Sequence, residues 1–146
     1  MMSHTKTLPP PKSKPVTERM YELVEEYQAV IVVANRIWNF RASPGYQWDG
    51  ASIPRFAWTI TGVYPMAAMI QAPSLIHDAL YGCEYFTRLH TDICFRDDMK
   101  RNRYSRITRN IFYRSVRWGG GVVWRRHTPE SIQEQRRWIT VTPVVY

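Results

Sequence analysis

Residues 47–55 read QWDGASIPR, and the chain changes character across them. Before this stretch, apolar residues come in β-branched and aromatic clusters; after it they recur at helical spacing. AVIVV (29–33) and RIWNF (36–40) predict two strands, whereas YELVEEY (21–27) fits a strand or a helix. Ser43-Pro44-Gly45 is a turn signal that makes residues 46–48 a further extended piece. Downstream, helical periodicity covers 54–61, roughly 66–82, 87–101 and 105–117, with gaps at Gly62, Gly82 and around Asn102. Gly119-Gly120-Gly121 breaks that pattern, and Thr128-Pro129-Glu130 starts another helix, with Thr as cap and Pro in the first turn. The predicted fold is α+β: a small N-terminal antiparallel sheet packed on a helical body of four to five helices.

Three segments follow. Residues 1–15 (MMSHTKTLPPPKSKP) have no apolar period and read as a Pro-rich extended arm without a core of its own, dispensable for folding. Residues 16–126 form one α+β domain, and residues 127–146 a C-terminal helix and extended tail. The tail alternates apolar and small polar residues, which suits closing the chain's own sheet or adding a strand to a neighbour's. With 146 residues and 14% aromatics, the chain is long enough for one core, and that core should be built on rings. No apolar run approaches the roughly 18 residues of a membrane span, and the polar start lacks the apolar block of a secretory signal. Cys83 and Cys94 have no metal or redox spacing and read as reduced, half-buried thiols of a protein that stays in the cytoplasm where it is made.

The net charge of +8 is unevenly placed. Ten Lys or Arg lie between Arg96 and Arg126 against Asp97 and Asp98, while Glu18, Glu22, Glu25 and Glu26 make the first folded segment acidic. Such a basic flank suits nucleic acid, an anionic envelope polymer or an acidic protein neighbour, and equally an ordinary solvated helix face.

Candidate site residues sit in three boxes. Asp49 precedes a glycine, so turn chemistry alone explains it, as Ser52 ahead of Ile53-Pro54-Arg55 is explained by helix capping. In SLIHDALYG, His77 shares an inward strip with Ile70, Ser74 and Tyr81, whereas Asp78 points about 100° away. In RLHTDICFRDDM, Asp92 has Arg88 at i−4, Phe95 at i+3 and Met99 at i+7, which puts a carboxylate on an apolar stripe. Asp97 and Asp98 lie among Lys100 and Arg101 and read as solvated. A buried carboxylate must be paired, hydrogen-bonded or metal-bound. Arg88 and Arg55 are its structural partners and His77 its functional one. If Asp49, His77 and Asp92 converge, they make an oxygen–nitrogen set suited to zinc or another divalent ion. His90 joins only if the helix turns differently, and GASIP is not a nucleophile elbow around Ser52.

WDGASIPR (48–55), HDALY (77–81), R-x3-D-x2-F-x3-M from Arg88 to Met99, and Y-x2-V-R-x-G from Tyr113 to Gly119 together resemble the boxes of a phage and prophage family, domain of unknown function 1353. The resemblance runs over roughly residues 21–125. The family usually has Thr before the first Asp, where this chain has Trp48. The resemblance implies a bacteriophage origin, an α+β domain and site roles for Asp49, His77, Asp78 and Asp92. It brings no activity with it.

Two functions from different classes fit these residues. The first is a phage particle or tail-region protein, oligomeric with other phage structural proteins, in which the Asp/His boxes are structural glue; its place is the virion, after synthesis in the host cytoplasm. The second is a small metal-dependent hydrolase of the host envelope or another anionic polymer, with catalytic residues drawn from Asp49, His77, Asp78 and Asp92, and with Arg55 and Tyr81 near the substrate. The assembly reading is preferred, because a Pro-rich arm and apolar tail serve a neighbour better than a reaction. A third, less favoured reading is a nucleic-acid binder using the basic flank with Tyr104, Tyr113, Trp118 and Trp124.

Overall fold

The computed structural model describes residues 4–49, 53–64 and 67–145. Among these described residues, two three-stranded antiparallel sheets precede and flank five helices, the α+β arrangement expected. The first sheet has the order β1 (Ser13–Pro15), β2 (Tyr21–Leu23), β5 (Gln47–Trp48). The ambiguous YELVEEY thus splits into a short strand and the start of the next. In the second sheet, β3 (Tyr27–Val33) pairs with β4 (Arg36–Ala42), and β6 (Ile139–Pro143) pairs with the other edge of β4. The tail therefore closes the chain's own sheet.

The period of two along β3 explains its register. Tyr27, Ala29, Ile31 and Val33 are buried on one face, beside Phe40 and Ala42 of β4. Ala34 and Asn35 make the two-residue connection, with φ of 52° and 61°, the left-handed pair that matches the twist of a tight hairpin.

The helices are α1 (Arg55–Thr61), α2 (Ala68–Cys83), α3 (Arg88–Arg101), α4 (Arg106–Arg125) and α5 (Pro129–Arg136). Thr87 caps α3, Ser105 caps α4, and Thr128 with Ser131 forms a capping box on α5, with Pro129 in the first turn as read from sequence. Two apolar clusters result. One lies between the sheets and α2; the other joins Ile53 and Ala57 to Ile70, Phe95, Met99, Phe112 and Val116. Tyr81, Phe40, Phe95 and Phe112 are the largest fully buried side chains, although non-aromatic residues outnumber rings in both clusters.

Three expectations are corrected. Helix α4 runs through the triple glycine instead of ending before it. The glycines are there for close approach: a Cβ on Gly119 would stand 2.6 Å from Pro54 Cγ, and one on Gly120 would stand 2.5 Å from the Tyr81 hydroxyl. The cysteines are free but fully, not half, buried, and burial pushes the Cys83 thiol up to about 12.

The third correction concerns the arm, which is a strap on its own domain. Leu8 is 2% exposed and belongs to the core, its N–H donating to Asn102 Oδ1 at 2.9 Å. Tyr27 donates to the Pro9 carbonyl at 2.9 Å and Arg101 to that of Lys6 at 2.9 Å, while residues 13–15 form β1. Asn102 is the joint of this strap. Pro73 inside α2 has no N–H to offer the Met69 carbonyl four residues back, and Asn102 Nδ2 donates to that carbonyl instead, at 2.6 Å. Among the described residues no helix is long and apolar enough to cross a membrane.

Candidate functional site

Asp92 is the hub of a buried polar cluster that ties three helices together. Its Oδ1 lies 2.8 Å from His77 Nε2 and accepts from the Tyr81 hydroxyl at 2.9 Å; its Oδ2 accepts from Arg117 at 2.7 Å, with Arg88 at 3.8 Å. Helical spacing assembles the set. His77 and Tyr81 are one turn apart on α2, Arg88 and Asp92 one turn apart on α3, and Arg117 reaches across from α4. Arg88 also donates to the backbone carbonyls of Val116 and Arg117, both at 3.1 Å, so it fastens α3 to α4 even without its charge partner. The His77 ring lies 4.5 Å from that of Tyr81 and 4.6 Å from that of Phe95.

The electrostatics fix the protons. Burial works to raise the Asp92 carboxyl, yet hydrogen bonds from His77, Arg117 and Tyr81 outweigh it and hold the group below 3.8. Burial lowers His77 from 6.5 against the pull of Asp92. At neutral pH the pair is therefore a carboxylate and a neutral imidazole. A carboxylate only accepts, so Nε2 carries the proton and donates it. Burial raises the Tyr81 phenol as well, which keeps it a donor. The arrangement can orient an imidazole, as the buried carboxylate of a hydrolytic triad does, or simply satisfy polar groups within a helical core.

The structure brings His77, Asp92 and Tyr81 together. Asp49 is exposed just after β5, and the described contacts of Asp92 do not include it. Asp78 is half-buried; it and Asp49 stand near the buried Tyr46 hydroxyl, which burial first, and then these charges, push well above 10. Arg55 is exposed at the start of α1, and His90 lies two residues from Asp92 on α3, off its face. Among the described residues no group of three His, Cys, Asp or Glu side chains is set to hold a metal ion. Gly50 and Ser52 lie outside the described residues.

Two features escaped the sequence reading. Arg117 was visible only as one letter of the Y-x2-V-R-x-G box, because nothing local says that it crosses to α3. Asp98, read as solvated, is 1% exposed, with Cys94 donating to it at 3.6 Å and Arg101 3.6 Å away. It sits one turn after Cys94 on the face of α3 that packs toward the second sheet and the strap, and burial pushes its carboxyl up to about 7 against the pull of Arg101.

No curated protein and no solved structure matches the chain significantly. A family model does: residues 21–116 match the family described as Protein of unknown function (DUF1353). The matched span contains His77, Tyr81, Arg88 and Asp92 and stops one residue short of Arg117, so most of the buried cluster is carried by the family's own region, and the chain belongs to that family.

Proposed function

We propose that the protein is a bacteriophage virion-associated protein of the particle or tail region, acting through assembly contacts, with the Asp92 cluster holding its helices in place. The observation that carries this reading is the apolar face shared by α1 and α4. Trp118 is 80% exposed and stands edge-on to Phe56, ring centroids 5.7 Å apart; Ile60, one turn along α1, is 66% exposed, and Val122, one turn along α4, is 46% exposed. An exposed, contiguous aromatic and aliphatic face of this kind marks a protein contact. Both the arm and the tail are used within the domain.

The alternative is a small metal-dependent hydrolase acting on the host envelope or another anionic polymer. The oriented His77–Asp92 pair favours it. Against it stand the complete burial of both side chains and the occupation of both Asp92 oxygens by neighbouring donors.

The test is complementation of a phage lacking the gene with the Trp118→Ser/Ile60→Ser variant. Loss of this protein from purified particles, with an unchanged circular dichroism spectrum, is expected; normal incorporation contradicts the reading.

A further inference from the structure

A cleft of about 550 Å³ opens between α3 and α4, on residues the buried cluster does not use. Arg96 and Lys100 line it from α3, and Arg106, Arg109 and Arg114 from α4. Arg96 and Lys100 are four apart on α3, and Arg106 and Arg114 are eight apart on α4 with Arg109 between them, so cations from both helices face one recess. Asp97 is the one acid among the described residues lining it, and burial raises its carboxyl while Arg96, Lys100 and Arg109 pull it down.

Five converging cations repel one another, and that cost is relieved by a multivalent anion. Arg109 is held by the Tyr104 carbonyl at 3.2 Å, and Arg96 lies over the Tyr113 ring at 4.5 Å. Lys100, Arg106 and Arg114 are exposed, and among the described residues none of them has an ion pair.

A second copy is a poor source of that anion, because three of the four glutamates of its acidic segment already have cationic partners, Glu22 in Lys14 at 3.2 Å, Glu25 in Lys12 at 3.1 Å and Glu26 in Arg41 at 3.4 Å. We propose that the α3–α4 cleft binds the phosphodiester backbone of a single-stranded nucleic acid. A single strand bends its phosphates into a recess that the rigid, convex backbone of a duplex bridges, and the Arg96–Tyr113 stack offers bases a planar wall. The site does not depend on the assembly reading, because it shares no residue with the α1–α4 apolar face.

The test is fluorescence anisotropy of the full chain with a labelled oligo-dT of about 20 nucleotides, the site size of one or two single-strand binding modules. For about three neutralised phosphates, affinity is expected to fall roughly twentyfold between 50 and 200 mM salt. The Arg106→Glu/Arg114→Glu variant should bind at least about tenfold more weakly, and Lys100→Gln/Arg106→Gln, which carries no reversed charge, should lose binding to a smaller degree. Arg19→Glu/Arg36→Glu, with the same charge change on exposed residues of the sheet side, should bind as the wild type does. Equal loss in that control, equal competition by polyglutamate, or tighter binding of a duplex of the same length would each overturn the proposal.

Discussion

His77 Nε2 and Asp92 Oδ1 lie 2.8 Å apart with both side chains at 0% exposure, one on α2 and the other on α3. The pair is sealed by Tyr81 and Arg117, so each member depends on the others for its hydrogen bonds. Asp92→Ala leaves Arg117, Tyr81 and His77 without their shared acceptor. Breaking a buried ion pair in this way costs about 3–5 kcal/mol. Asp92→Asn, which keeps the shape and one acceptor, should cost less, and urea unfolding of the two variants gives the order.

Gly120 and the Tyr81 hydroxyl make a second coupled pair. Gly120→Ala should destabilise by about 1–3 kcal/mol through overpacking, despite the better helix propensity of alanine. Tyr81→Phe removes the atom that the new methyl meets first. The double variant should therefore be more stable than the sum of the two single changes, which a double-mutant cycle measures.

Asp98 makes stability depend on pH in the direction opposite to a carboxylate whose pKa its partners lower, because burial outweighs the pull of Arg101. Its folded group titrates near 7 and its unfolded group near 3.8, so the native state binds the extra proton between them. The contribution of Asp98 is present below about pH 4, is lost as pH rises to about 7, and is constant above. Asp98→Asn should abolish this loss. Stability of the variant relative to wild type should rise with pH across that window, by up to about 1 kcal/mol per pH unit, and level off near 7.

The strap should contribute to folding. Leu8→Ala opens a core site and should cost about 2–5 kcal/mol. Deleting residues 1–15 removes Leu8 and β1 together and should lower the thermal midpoint further, as followed by circular dichroism.

What could be read from the sequence was what repeats locally. The alternation in AVIVV, the helical spacing around His77 and Asp92, and the Thr-Pro start of α5 each carry their structure within a few residues. The strap was illegible because a single leucine anchors it and most of its other bonds are made by backbone groups, which leave no pattern. The triple glycine misled for a related reason. Its helical cost is visible locally, whereas Pro54 and Tyr81, which need the space, are far away in sequence. Asp98 misled because adjacent charges suggest solvent, while the face of α3 it occupies is decided by packing against the second sheet and the strap.

The most direct test of a structural role for the cluster is the unfolding free energy of His77→Ala against wild type, by urea titration with and without added zinc. A structural cluster predicts a loss of about 1–3 kcal/mol from unsatisfied buried partners, the same in both conditions. Unchanged stability of the variant without zinc, together with stabilisation by zinc of the wild type alone, would contradict it.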